Sequence, residues 1–222
     1  MSEYAVLDLF CGLGGFSASF KDSDRWELTT VDIEPAFDPD IVDDVFNLRP
    51  SDFDTDFDVV LASPPCTRFT KVASSAGHIV NGEPATKEAA DATALVYHTI
   101  GLIRGLVPDY WFMENPLAFL RNVIGEPNGF VTYCQYGKDY MKPTDLWGDH
   151  PCQFRYKSCG YGDDCHVSNP NIRYGGTGSL DSMDGSSEER AKVPYQLSES
   201  IRDACESGLD GTAPEQTTLF AD

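Results

Sequence analysis

A glycine-rich turn between an apolar strand and a helix constrains this chain more than any other feature. Tyr4 to Phe10 has the continuous apolar character of a buried strand, Gly12, Gly14 and Gly15 follow, and Gly14 to Phe20 opens a helix. Glycine there lets the backbone turn sharply and approach a ligand at a helix N-terminus. Further apolar runs succeed it: Trp26 to Ile33, Phe57 to Ala62 ending at Ser63-Pro64-Pro65, Tyr110 to Met113, and Phe130 to Tyr133. Between them Thr86 to Leu106 has helical length, with alanines and leucines on one face. Alternation of this kind predicts an α/β fold with a mostly parallel, doubly wound sheet. Strand ends then gather at one edge, where such sheets bind ligands.

The pattern breaks down from Asp145 to about Arg190, a stretch rich in Gly, Ser, Asn, Asp and Cys. Val193 then starts a helix running through roughly Cys205, and residues from Ser207 onward read as a flexible tail. The expected organisation is a main domain over 1–145 and 191–206, a small irregular region over 146–190, and the tail over 207–222. A chain of 222 residues suits one sizeable core with a small appendage. It has no run of eighteen apolar residues and no signal peptide, which predicts a soluble, cytoplasmic, monomeric protein with no membrane contact.

Three segments carry a family resemblance. Asp8-Leu9-Phe10-Cys11-Gly12-Leu13-Gly14-Gly15-Phe16-Ser17, Ser63-Pro64-Pro65-Cys66 and Phe112-Met113-Glu114-Asn115-Pro116 resemble the DLFCGxGG, PPC and EN-containing motifs of the DNA cytosine-5 methyltransferase family, in the family's order. The resemblance implies a Rossmann-like methyltransferase fold, DNA as partner and S-adenosylmethionine as methyl donor. The glycine spacing is not GxGxxG and no P-loop Lys follows, which also favours S-adenosylmethionine over a dinucleotide or ATP. An acid ending the second strand suits a ribose diol. The family motif places it at Asp32, with Glu34 as the alternative. Asp44 matches the acidic position that accepts from the adenine amino group, and Phe10 packs against the cofactor beside Asp8, Gly12 and Gly14. Pro64 and Val193 complete the pocket, the latter in Ala191-Lys192-Val193-Pro194, which resembles the family's closing motif.

Cytosine C5 does not attack a methyl sulfonium unaided, whereas a thiolate added at C6 makes C5 an enamine carbon. That chemistry needs an accessible cysteine near the methyl group and an acid at N3. Cys66, stiffened by Pro64-Pro65, fits the first role, and the resemblance gives Glu114 the second. Arg68 is placed to lower the thiol pKa or to touch a phosphate. The family's QxRxR motif falls on Tyr140-Met141-Lys142-Pro143-Thr144, so only Lys142 keeps a positive charge, and Lys does not replace Arg in bidentate contacts. The region between the motifs is shorter than the usual target-recognition domain, as in compact virus- or archaeal-type members. The same motifs serve a tRNA-methylating branch, and a non-catalytic S-adenosylmethionine-binding relative is a third reading.

Seven cysteines do not suggest a disulfide framework. His150, Cys152, Cys159, Cys165 and His166 cluster in the short region, and Cys152, Cys159, Cys165 and His166 are the candidate ligands of a structural zinc, although no CxxC spacing is present. Gln216 to Phe220 resembles a sliding-clamp-binding peptide. The charge is unusual for a phosphate-binding protein: 36 acids, 24 of them Asp, oppose 16 bases for a net −20. The acids are spread along the whole chain, as expected for a protein of a high-salt archaeal cytoplasm or its virus. At molar salt the Debye length falls to about 3 Å and repulsion from phosphates is largely screened.

Overall fold

The computed structural model describes residues 2–166 and 191–211. In chain order the elements are β1 (Tyr4–Leu9), α1 (Ala18–Lys21), β2 (Trp26–Asp32), β3 (Ile41–Val42), β4 (Val59–Ala62), α2 (Lys71–Ser75), β5 (Ile79–Val80), β6 (Glu83–Pro84), α3 (Lys87–Leu106), β7 (Tyr110–Pro116), α4 (Leu120–Ile124), β8 (Gly129–Thr132), β9 (Pro143–Asp149) and α5 (Tyr195–Leu209). One sheet has the order β3-β2-β1-β4-β7-β9-β8, and β5 and β6 form a separate hairpin. Strands β3, β2, β1, β4 and β7 are parallel, while β9 runs antiparallel to both β7 and β8. The mostly parallel, doubly wound α/β sheet expected from the sequence is therefore present.

Both faces of the central strands are covered, which is why they read as continuous apolar runs instead of alternating ones. All four residues of β4 are buried. Along β1, Val6 joins a core with Phe16, Phe20, Leu197 and Ile201, whereas Leu7 and Leu9 join one with Val96, Leu102 and Ile103 of α3. Where α1 meets α5, Ser19 and Ser198 touch hydroxyl to hydroxyl at 2.8 Å. Helix α3 begins where Thr86 Oγ1 accepts from the Ala89 amide. Among the described residues no helix is long and apolar enough to cross a membrane.

Two boundaries differ from the sequence reading. The glycine turn delays α1 to Ala18, because Gly12 and Gly14 adopt positive φ angles of 49° and 66°. The second difference is β9, which lies in the stretch where the pattern seemed to fail. Its segment carries only Leu146 and Trp147 as large apolar residues, and Thr144 and Asp145 are wholly buried polar groups. They are tolerated because they are paired. Arg121 of α4 clamps Asp145 with two hydrogen bonds of 2.6 Å. Residues 151–166 form no helix or strand, yet Phe154 is buried and meets Phe112 edge-on at 5.3 Å.

The chain leaves β1 for β2 and β3 on one side of the sheet, then returns to β4 on the other. The C-terminal ends of β1 and β4 thus flank a topological switch point, where open α/β sheets place their ligands.

Removing Arg121 strands a buried carboxylate, so Arg121→Met should cost about 3 kcal/mol in urea unfolding. The double variant Arg121→Met/Asp145→Leu should recover most of that loss.

Candidate active site

The turn after β1 is held by the strand beside it. Asp32, ending β2, accepts the Gly12 amide on Oδ2 and the Glu34 amide on Oδ1, both at 2.9 Å. Asp8, wholly buried at the end of β1, accepts the Ser17 hydroxyl at 2.6 Å. Its other oxygen has no hydrogen-bond partner among the described residues. Burial pushes the Asp8 carboxyl up to about 7, with the Ser17 bond opposing and the Asp32 charge adding to the shift. Phe10 adopts a positive φ of 62°, an uncommon conformation for a residue with a side chain. Gly15 has no room for a Cβ, which would sit 2.6 Å from Lys192 Cγ and 2.7 Å from the Val193 carbonyl oxygen. The segment before α5 therefore closes directly over the turn.

These pieces enclose a cavity of about 410 Å³. Phe10, Gly12 and Phe16 line it from the turn, Ser63, Pro64, Pro65 and Cys66 from the end of β4, Glu114 and Pro116 from β7, and Lys142, Lys192 and Val193 from the far side. Two of the chain's seven lysines thus line one cavity.

Cys66 sits half-buried in the loop after β4. That loop is tied to β7, because the buried Asn115 donates from Nδ2 to the Pro64 carbonyl at 2.9 Å. Glu114 is 5 % exposed, and its Oε1 accepts the Tyr133 hydroxyl at 3.0 Å. Lys142 Nζ lies 3.9 Å from the same oxygen, 3.4 Å from the Tyr133 hydroxyl, and 4.5 Å from that ring's centre. Burial pushes the Glu114 carboxyl above its usual range against the pull of Lys142, Tyr133 and Thr144. The Cys66 thiol is raised too, first by burial and then by the Glu114 charge, while Lys142 works the other way. A proton on Glu114 therefore removes one obstacle to ionising Cys66. Cys11 shares the cavity but is a poor thiolate: burial and the charges of Asp8 and Asp32 push it up to about 12.

Several expected residues lie elsewhere. Arg68 points away from the cavity, its Nη1 3.1 Å from His78 Nε2, and His78 in turn meets Thr86. Asp44 caps a short 3-10 turn by accepting the Phe46 amide, and it lines a second cavity with Phe46 and Leu95. Both Asp32 oxygens are already engaged by backbone amides. Cys152 is exposed, with its thiol on its own neighbour Gln153. The donor atoms that converge are Cys134, Cys159, Cys165 and His166, all within 4.8 Å of one another. Cys134 replaces Cys152 because the turn after β8 lies under residues 157–166, a proximity only the folded chain creates. His150 stacks on Phe112 at 4.0 Å, and burial pushes it down to about 4. Gln216 to Phe220 lie outside the described residues.

The sequence alone gives no role to Tyr133, and it places Asn115 and Lys192 in motif segments without foreseeing their contacts. Tyr133 read as the end of an apolar strand, and nothing local marks its hydroxyl as the partner of Glu114.

A sequence model of the family described as "C-5 cytosine-specific DNA methylase" matches residues 4–123, over half of the chain. The chain belongs to this family. It is 31 % identical over 169 residues to the "Probable DNA (cytosine-5)-methyltransferase" of Frog virus 3, covering 72 % of this chain and 77 % of that protein. It is 27 % identical over 134 residues to the type II methyltransferase M.Bsp6I of a Bacillus species, covering 56 % of this chain and 38 % of the relative. Among solved structures, the Entamoeba histolytica methyltransferase EhMeth superimposes with a TM-score of 0.51 at 11 % identity, over 72 % of this chain and 58 % of that one. That likeness concerns the Rossmann-like fold.

Two measurements probe this cavity. Asp8 has a folded pKa above its unfolded value of 3.8, so its stabilising contribution is full below about pH 4 and is lost as pH rises toward about 7. Asp8→Asn should flatten the stability profile of the ligand-free protein in that window. Glu114→Gln removes a charge that raises the Cys66 pKa. Alkylation of Cys66 should then titrate at lower pH than in the wild type, even though the variant loses its acid.

Proposed function

We propose that this family member methylates C5 of cytosine in DNA, with S-adenosylmethionine as donor and the chain acting as a monomer. The observation that carries the reading is the convergence of Cys66, Glu114 and Lys142 on one cavity beside the glycine turn. The cavity suits the donor. Gly12 and Gly14 carry no side chain and have open space beyond their Cα atoms, and Ser63 offers a buried hydroxyl with no partner among the described residues. Glu34, exposed just past β2, is the better candidate for the ribose hydroxyls: one of its oxygens accepts the Ala36 amide and the other is left, whereas both Asp32 oxygens hold backbone amides. Phe10 and Val193 pack the donor from either side.

When bound, S-adenosylmethionine supplies an electrophilic methyl group on a sulfonium centre. Cys66 adds as thiolate to C6 of a cytosine taken out of the stack. Glu114, whose burial favours the protonated form, donates to N3 and meets the charge that the addition creates. Lys142 stabilises the Cys66 thiolate and orients Glu114. Once C5 carries the donor's methyl group, the C5 proton leaves to water, N3 returns its proton to Glu114, and expulsion of Cys66 restores the aromatic ring. Lys192, over the glycine turn, suits the target's phosphates, whereas the buried Lys142 serves Glu114 and Cys66. Arg68 is left with a structural contact to His78 and is not given a catalytic role here.

A structural zinc ion, expected from the cysteine content, belongs to the same reading, with Cys134 standing where Cys152 was expected. So does adaptation to high salt: with a net charge of −20, binding to DNA should strengthen when added salt screens the acidic surface.

Methyl transfer to DNA and to tRNA, measured side by side in molar KCl, tests the proposal. Label should enter DNA as 5-methylcytosine, should fall to background with Cys66→Ala, and should drop roughly 100-fold with Glu114→Gln. Label in tRNA alone would move the assignment to RNA. Donor binding without transfer to either polymer would overturn it.

A further inference from the structure

The four donors near the turn after β8 come from three points of the chain: Cys134 in the turn itself, Cys159, and the adjacent pair Cys165-His166. Their separations are 3.2 Å for Cys134–Cys159, 3.8 Å for Cys134–Cys165, 3.8 Å for Cys159 Sγ to His166 Nδ1, and 3.5 Å for Cys165 Sγ to His166 Nδ1. A tetrahedral zinc with bonds of about 2.3 Å to sulfur has donor–donor edges of roughly 3.8 Å. Three thiols with one imidazole form a zinc-type donor set. The spacing is irregular in sequence, but the fold turns Cys165 and His166 toward a common point.

The surroundings resemble the outer support that orients metal ligands. Thr132 donates its hydroxyl to Cys159 Sγ at 3.3 Å and accepts the Cys159 amide at 3.0 Å, while its own amide donates to the Lys157 carbonyl. Tyr136 adds a second tie, accepting the Lys157 amide and donating to the Arg155 carbonyl. Residues 155–166 have no helix or strand of their own, so a metal gives them what secondary structure does not. Tyr133 lies between Thr132 and Cys134, the two residues that anchor this segment. It is wholly buried and its hydroxyl holds Glu114.

We propose that Cys134, Cys159, Cys165 and His166 bind one zinc ion, and that this ion fixes Tyr133 against Glu114, making Tyr133 a positioning residue for methyl transfer. The second half rests on the acid role given above to Glu114; the first half does not. The ion is structural, since all four positions of its tetrahedron are filled by protein and none is open to substrate.

The test uses the full chain, dialysed without chelator, with zinc measured by mass spectrometry. About one zinc per chain is expected for the wild type and for Cys152→Ser, and a loss of most of it for Cys134→Ser. Cobalt exchanged into the wild-type chain should show sulfur-to-cobalt charge transfer and intense tetrahedral d–d bands, a readout that needs no variant to fold. A wild-type chain without retained metal, a Cys134→Ser variant with full zinc, or a mapped Cys134–Cys159 disulfide would each overturn the site. Tyr133→Phe should keep its zinc and lower kcat about tenfold with KM for S-adenosylmethionine within about twofold. An unchanged kcat would overturn the link to Glu114. Zinc content and the cobalt spectrum need no turnover, so a metal-loaded chain that transferred no methyl group would overturn the methyl-transfer reading and leave the metal site standing.

Discussion

The parallel register of β1, β4 and β7 is the constraint on which the site depends. Leu9 pairs with Ala62 and Ala62 with Met113, so β1 and β4 end level while β7 runs on to Pro116 beside β9, setting Glu114 just past those two strand ends. The residues immediately beyond those pairs are the glycine turn, the loop to Cys66, and Glu114. A shift of one residue in β7 would turn Glu114 to the opposite face, because side chains alternate along a strand. The hydrogen bond from Asn115 to the Pro64 carbonyl then locks the Cys66 loop to that register. Arg121 and Asp145 secure the other edge of β7 through β9.

Electrostatics in this small volume are coupled. A buried carboxyl, a half-buried thiol and a buried lysine share it, and the charge state of each changes the cost of the others. Low solvent access raises both the Glu114 carboxyl and the Cys66 thiol, and Lys142 is the cation that offsets them. The family pattern has arginines where this chain has Lys142 and Thr144. A point charge on a flexible stem cannot make a forked contact, and here Tyr133 provides the second, directional bond to Glu114. The net charge of −20 and the two lysines lining the cavity set the chain's overall charge against that of its cavity.

Much of this was legible from the chain alone. Strands β1, β2, β4 and β7 announce themselves as apolar runs, and α3 by its length and its face of alanines and leucines. The glycine turn and the Pro-Pro-Cys and Glu-Asn pieces have local signals because they depend on backbone conformation and residue order. Strand β9 was hidden, since its buried polar residues are neutralised by Arg121, a partner distant in sequence. Asp32 was legible as important, but its carboxylate proves to be committed to two backbone amides. Asp44 was placed by motif position and Arg68 by its nearness to Cys66; in the fold Asp44 accepts the Phe46 amide, Arg68 meets His78, and neither lines the cavity holding Cys66.

The sequence by itself determined the alternation of apolar strands with helices that makes the parallel part of the sheet, and the place of the glycine turn after β1. These follow from periodicity, from φ preferences and from residue type, all of which are local. Only the tertiary structure decided that Tyr133 and Lys142 hold Glu114, that Lys192 closes over Gly15, and that Cys134 joins Cys159, Cys165 and His166. Motif order relates some of these segments, as it does the one holding Lys192, but it does not say which side chains touch. The contacts exist because packing against a shared sheet brings side chains within hydrogen-bond reach, and no pattern along the chain records that distance.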